Sequence, residues 1–213
     1  MNIEIWYDLV CPWCYLGKRR LEAVLTGFAG DVTMTFRAYQ LDPAPVPVPL
    51  PIRQAMTARI GDPREVERML RHVTAIARGE GLALDYDRAI AANTFDAHRL
   101  VAWAAAQELQ LNMIETLQRA HFTDGVDLGS RAELARLAGE IGLDERAAAA
   151  HLATPAGTDA VNADLAEARE LGITSVPAFV IDRRYVIQGA QEPAALRSAL
   201  EEITRREAVH AAR

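Results

Sequence analysis

Hydrophobic and polar residues alternate at two places near the start of the chain. Ile3–Asp8 is aromatic and β-branched and reads as a buried strand. Val32–Tyr39 sets Val32, Met34 and Phe36 against Thr33, Thr35 and Arg37, the two-residue period of a second strand. Between them the period lengthens. Pro12 to about Leu25 predicts a helix with Leu16, Leu21, Val24 and Leu25 turned inward, and Gly27 and Gly30 bracket its exit. Strand, helix and strand with short connections predict a right-handed parallel βαβ unit.

Proline then takes every second position, at Pro43, Pro45, Pro47, Pro49 and Pro51. No pair has the three-residue spacing of a PxxP ligand. The segment reads as a stiff, extended spacer leaving the sheet.

From about Ile52 to Leu171 the pattern turns helical, with no strand-like alternation of useful length. Asp62-Pro63-Arg64-Glu65 is an N-cap, an N1 proline and an N3 glutamate, followed by Val66, Met69, Val73 and Ile76 on one face. Gly79 and Gly81 end that helix. Asn93 or Thr94 caps another, with the stripe Phe95, His98, Ala102, Ala105 and Leu109. A further helix lies near Met113–Phe122. Ser130-Arg131-Ala132-Glu133 is a second capping box, Asp144 caps the next helix, and Ala156–Leu171 forms the last of the block. Short apolar runs then return at Ala178–Ile181 and Tyr185–Gln188 around a turn at Asp182-Arg183-Arg184, a hairpin. Pro193 to about Ala208 closes the chain as a helix, with Glu201–Arg205 and Glu202–Arg206 spaced to pair.

Composition narrows the function classes. Half of the 213 residues are hydrophobic, enough for a sizeable core. A net charge of −6 argues against a nucleic-acid surface. No run of about 18 apolar residues exists to cross a membrane. The start of the chain, Met1 to Trp6, has neither the basic end nor the apolar stretch of a signal peptide, so a cytoplasmic protein is expected. Oligomeric state is open, because the alanine-rich helices can pack within one chain or between two.

The only two cysteines stand in Cys11-Pro12-Trp13-Cys14, directly after a strand and at the start of a helix. Their Cα atoms can then lie about 5.5 Å apart, close enough for a disulfide. Cys11 falls at the N-cap, where orphan N–H groups and the helix dipole stabilise a thiolate. Pro12 suits the first helical position, since its missing N–H is an orphan there anyway. Cys14, one turn further in, is the shielded resolving thiol, and Trp13 is placed to modulate surface contact. A structural zinc site needs about four ligands, and neither a second CxxC nor paired histidines are present. A purely structural disulfide is poor as well, because so short a loop constrains the unfolded chain little. The motif therefore points to a redox dithiol that requires no metal or organic cofactor.

The order β, CxxC helix, β, helical block, Ile173-Thr174-Ser175-Val176-Pro177, hairpin, helix is that of a thioredoxin fold interrupted by a helical insertion. The chain resembles the DsbA-like branch of the thioredoxin superfamily. Within it the chain is most similar to FrnE-like proteins, relatives of 2-hydroxychromene-2-carboxylate isomerase and the kappa-class glutathione transferases. The matching stretches are Tyr7 to Cys14, Asn93 to Leu100 and Ser175 to Ile181. The implied fold class is α/β: a thioredoxin-like βαβ part over 1–51, an all-helical insertion over 52–172 and a ββα part over 173–213.

The resemblance implies that Pro177 is a cis-proline facing the dithiol. It leaves the backbone of Val176 free to pair with a substrate. It also implies thiol–disulfide exchange with a disulfide-containing protein or a small thiol, with glutathione a candidate reductant. A glutathione-dependent isomerase or transferase is the alternative. It is weakened because those relatives carry serine at the first active position and an acidic–basic pair where this chain has Gly189-Ala190-Gln191-Glu192. Three supporting candidates remain. Asp8 is either a buried proton acceptor for the second thiol or a solvated strand end. His98, on an apolar stripe, reads first as a core histidine. Asn93 is an N-cap that the resemblance places near the cleft.

Overall fold

The structure is a computed structural model that describes residues 1–46 and 48–211. Pro47 of the proline run and the last two positions of the 173–213 part lie outside the described residues.

A four-stranded sheet in the order β2-β1-β5-β6 forms the base. β1 (Asn2–Tyr7) pairs in parallel with β2 (Thr33–Ala38), and α1 (Pro12–Leu25) connects them. β5 (Ala178–Ile181) runs antiparallel to β1 and turns through Asp182 and Arg183, both at positive φ, into β6 (Tyr185–Gln188). β5 is an unbroken apolar run buried throughout, and β1 is buried from Ile3 to Tyr7 with Glu4 paired to Arg37. The last helix in the chain, Pro193–Ala211, packs on α1.

Between β2 and β5 the chain is mostly helical. It holds α2 (Ile52–Ile60), α3 (Pro63–Gly79), α4 (Phe95–Ala105), α5 (Gln110–Arg119), α6 (Arg131–Glu140), α7 (Glu145–Ala153) and α8 (Thr158–Glu170), so the Pro193–Ala211 helix is α9. The caps follow the local chemistry. Asp62 accepts from Arg64 N, Ser130 from Glu133 N, and Asp144 from both Arg146 N and Ala147 N. At α4 the cap is Asn93, whose Oδ1 accepts from Phe95 N, and Thr94 makes no side-chain cap.

The helical region departs from the sequence expectation in three ways. Leu50–Pro51 and Ile90–Ala91 pair as β3 and β4, two-residue strands too short to show a period. The helix expected near Met113–Phe122 starts at Gln110 and widens into a π-helical turn over Ala120–Asp124. The buried face of α4 is Ala97, Leu100, Val101 and Ala104, with His98, and not the stripe through Ala102 and Ala105. The turn from that stripe follows from Arg99, which is buried and donates to the carbonyls of Ala156, His151 and Thr154 at the end of α7. On α9, Arg205 and Arg206 both pair with Glu202, at 2.6 and 2.7 Å.

The large apolar core is continuous across the 1–51, 52–172 and 173–213 segments. It joins Ile5, Leu9 and Phe179 of the sheet side to Leu100, Leu117 and Leu137 of the helices. Asp164 on α8 ties the two sides with polar contacts. Its carboxylate accepts from Ala38 N at 2.9 Å, and its carbonyl accepts from Trp6 Nε1 at 3.2 Å. A second, smaller core lies under the other face of α1, where Tyr15 and Leu16 meet Val66, Leu70, Tyr86 and Phe122.

Candidate active site

Cys11 is the N-cap of α1, with φ −92° and ψ 113° and no side-chain cap hydrogen bond. The extended N-cap lets its carbonyl accept the first helical N–H groups, from Cys14 at 3.0 Å and Tyr15 at 3.2 Å. Its sulfur therefore stands at the positive end of the helix dipole. Cys14, one turn on, is buried, and its Sγ accepts from Asp8 N at 3.4 Å. Both thiols are free. Burial pushes the Cys14 thiol well above its ordinary value, and the neighbouring Cys11 sulfur and the charge of Asp8 act in the same direction.

The loop before β5 closes the other side. The Val176–Pro177 bond is cis, and the Cys11 thiol lies 3.8 Å from Val176 O. Gly17 makes this approach possible: a Cβ there would stand 2.8 Å from Pro177 Cγ. Any side chain there would force α1 or the loop to shift.

Asp8 is buried, so the solvated-strand-end reading is excluded. One carboxylate oxygen accepts from Leu41 N at 2.8 Å, and the other lies 3.5 Å from His98 Nε2 without a hydrogen-bond partner. His98 Nε2 is 3.0 Å from Tyr39 O, a bonded core histidine that nonetheless faces the Asp8 carboxylate. Asn93 is held elsewhere. Its Nδ2 donates to Pro43 O at 2.8 Å and to Ala44 O at 3.2 Å, which fastens the proline segment to the start of α4.

Beside the dithiol that segment arches over a cavity of about 710 Å³. Pro12 and Trp13 form its dithiol wall, and Leu70 and Val73 of α3 face them. Sequence reading does not single out two polar groups of this cavity, Tyr86 and His121. Both are buried, and neither the Tyr86 hydroxyl nor either His121 ring nitrogen has a hydrogen-bond partner. Burial pushes the Tyr86 phenol upward, and the nearby Cys11 sulfur adds to it. Burial lowers His121 to about 4 despite the opposing charge of Asp8, so its ring is neutral at pH 7. The only local signal was that π-turns recur at functional sites, and that turn has no sequence signature here. Among the described residues no group of three His, Cys, Asp or Glu side chains is placed to hold a metal ion. None of the described helices is long and apolar enough to cross a membrane.

A dithiol at a helix N-cap opposite a cis-proline, on a β2-β1-β5-β6 sheet with a helical insertion, defines a thioredoxin-fold thiol–disulfide protein. The chain belongs to the DSBA-like thioredoxin domain family, whose model matches residues 2–201. A probable DsbA oxidoreductase from Streptomyces coelicolor is 35% identical, with a TM-score of 0.90 over 95% of this chain and 89% of that one. The uncharacterised protein YwbO of Bacillus subtilis is 25% identical over 193 residues, 89% of this chain and 90% of that protein. The cytosolic disulfide reductase DsbM of Pseudomonas aeruginosa, in a structure with GSH, shares the fold. It has 22% identity and a TM-score of 0.67, over 96% of this chain and all of that one. DsbA-like oxidoreductases act on thiol or disulfide substrates.

Proposed function

We propose that the chain is a cytoplasmic, FrnE-like thiol–disulfide oxidoreductase in which Cys11 is the nucleophile and Cys14 the resolving thiol. The observation that carries this reading is the Cys11 sulfur at the N-terminus of α1, 3.8 Å from the carbonyl that precedes cis-Pro177. The Cys11 thiolate attacks one sulfur of a substrate disulfide. That bond breaks, a Cys11–substrate disulfide forms, and the other substrate half leaves as a thiolate that takes up a proton. Cys14 then loses its proton and attacks the Cys11 sulfur, which releases the second half as a thiol and leaves a Cys11–Cys14 disulfide. The substrate is reduced by two electrons and the protein is oxidised by two.

The buried, protonated state of Cys14 suits this order, because it stays inert until the mixed disulfide forms. Asp8 is the proton acceptor for that step, with the Leu41 amide holding one oxygen of its carboxylate in place and the other left free of hydrogen bonds. If Cys14 attacks slowly, Cys11 instead shuffles disulfides within a substrate. A thiol such as glutathione returns the dithiol to its reduced form.

Replacement of Cys11 by serine abolishes disulfide reduction, and Cys14→Ser accumulates mixed disulfides that non-reducing gels and mass spectrometry resolve. Full activity of Cys11→Ser would sink the reading. Equilibration with glutathione and thiol trapping sets the direction of electron flow. A potential about −120 to −200 mV marks an oxidant or isomerase, and one about −270 mV a reductase.

A further inference from the structure

Asp8 and His98 meet in the interior, and each side chain is 1% exposed. The Asp8 amide donates to Cys14 Sγ at 3.4 Å, which ties this residue to the resolving thiol. One oxygen of the Asp8 carboxylate accepts from Leu41 N at 2.8 Å. The other, Oδ1, has no hydrogen-bond partner and lies 3.5 Å from His98 Nε2. The same nitrogen lies 3.0 Å from Tyr39 O.

A carbonyl only accepts, so Nε2 carries a hydrogen whether the His98 ring is neutral or charged. One N–H therefore stands between two acceptors, Tyr39 O and Asp8 Oδ1. An ionised carboxylate takes it from a carbonyl, because hydrogen bonds to a charged acceptor are the stronger kind. A protonated carboxyl loses that advantage. A bare carboxylate oxygen in the interior is costly, so Asp8 needs this N–H in order to serve as a base. The surrounding groups do not replace it. His98 is the only basic side chain that pairs with Asp8 among the described residues. Tyr7 of β1 packs edge-on against the His98 ring at 5.3 Å, and burial keeps its phenol protonated. His121 of the π-turn is neutral at pH 7, because burial lowers it to about 4. Asp164 of α8 is engaged by Arg37 at 3.2 Å and by Ala38 N.

We propose that His98 is a positioning residue for the resolving step: its Nε2–H moves from Tyr39 O to Asp8 Oδ1, holds Asp8 ionised, and returns when Asp8 takes the Cys14 proton. The proposal rests on the redox reading and deepens it. In the step itself the Cys14 S–H bond breaks and its proton goes to Asp8. The Cys14 sulfur then attacks Cys11, and the bond from Cys11 to the substrate breaks to release a thiolate. His98 touches neither sulfur nor substrate and acts through Asp8.

The test mixes the reduced full chain with the aromatic disulfide DTNB in a stopped-flow cell. Each molecule releases two nitrothiobenzoate ions, the first as Cys11 attacks and the second as Cys14 resolves the mixed disulfide. In the wild type the second phase quickens as pH rises and Asp8 ionises. His98→Leu slows the second phase about ten-fold on the acid side and moves its midpoint up by about one pH unit. The first phase stays within about two-fold of wild type. His98→Gln supplies an amide N–H in place of Nε2–H and restores the second phase to within about two-fold. A merely structural role changes both phases together, and glutamine does not rescue it. An unchanged second phase in His98→Leu, or equal slowing of both phases, overturns the proposal. So does an undiminished second phase in Asp8→Asn, which leaves the cysteine chemistry standing. Should His98→Leu fail to fold, proton resonance of the wild type decides. The Nε2–H signal of His98 moves downfield with the midpoint of the second phase, and it does not in Asp8→Asn. A signal that behaves alike in both proteins overturns the proposal. The redox reading fails by a different result, the release of both ions by Cys11→Ser at the wild-type rate.

Discussion

Helix α1 buries Cys14, Leu21 and Val24 in the large core and Tyr15 and Leu16 in the small one. The large core runs through the sheet, α4, α5 and α6, and none of its fully buried members lines the cavity. The small core gives Leu70, Val73 and Tyr86 to the cavity wall. One face of the helix is therefore held in a filled interior, and the other borders a space. The filled side fixes where the two sulfurs stand against cis-Pro177. The open side decides what can approach them.

Truncation on the two sides separates these roles most strongly. Leu117 is fully buried in the large core, so Leu117→Ala leaves an unfilled void and costs about 2–5 kcal/mol. Leu70 borders existing space and has fewer contacts to lose, so Leu70→Ala costs less, at or below about 2 kcal/mol. Urea unfolding of the two variants gives the ratio. Equal costs would mean that the cavity collapses in solution and that both faces of α1 are filled.

Acid comes next in size and acts on the open side. His121 titrates about 4 in the fold, and an unfolded histidine about 6.5. Between these values the unfolded chain binds a proton that the folded chain does not. Stability therefore falls as pH drops from about 6.5 to 4, by about 3 kcal/mol in total. His121→Phe removes that slope, and unfolding curves across this pH range measure the difference. Parallel curves for wild type and variant would place the acid sensitivity elsewhere.

Gly17→Ala probes the seam on the filled side. Helix propensity alone favours alanine by about 1 kcal/mol. The added methyl meets Pro177 Cγ at 2.8 Å and Phe179 Cζ at 3.3 Å. Crowding of this kind costs about 1–3 kcal/mol. A destabilised variant that loses more disulfide reduction than stability shows that the seam sets the dithiol geometry. A stable, fully active Gly17→Ala shows that the loop gives way.

Much of the filled side was legible because its signals are local. The period of two marks β1 and β2, short apolar runs around a turn mark β5 and β6, and the spacing of Cys11 and Cys14 at a strand–helix junction marks the dithiol. The open side is assembled from distant pieces. Tyr86 sits in the connection before β4, and His121 sits in a π-turn that no residue pattern announces. They matter only because the fold brings them under one roof. The face of α4 was misjudged for a similar reason. Arg99 looks like a solvent-side residue until carbonyls more than fifty positions away surround it. Asp8 stood between two readings until the chain beyond β2 brought the Leu41 amide onto its carboxylate.

The smallest effect concerns the roof itself. Asn93 accepts from Phe95 N as the cap of α4 and from Gln40 Nε2 at 3.2 Å, and it donates to the carbonyls of Pro43 and Ala44. The capping bond alone is worth about 1 kcal/mol. The donations to the proline segment act on a strap that arches over space, so their loss changes motion more than global stability. Asn93→Asp separates the two: it keeps an acceptor for the cap and removes both donors. Global stability then stays within about 0.5 kcal/mol of wild type. Amide exchange at Leu41 and Ala44 speeds up while that of the α4 interior does not. Exchange that rises along α4 instead would show that Asn93 serves the helix alone and that the proline segment holds its place over the cavity by its own stiffness.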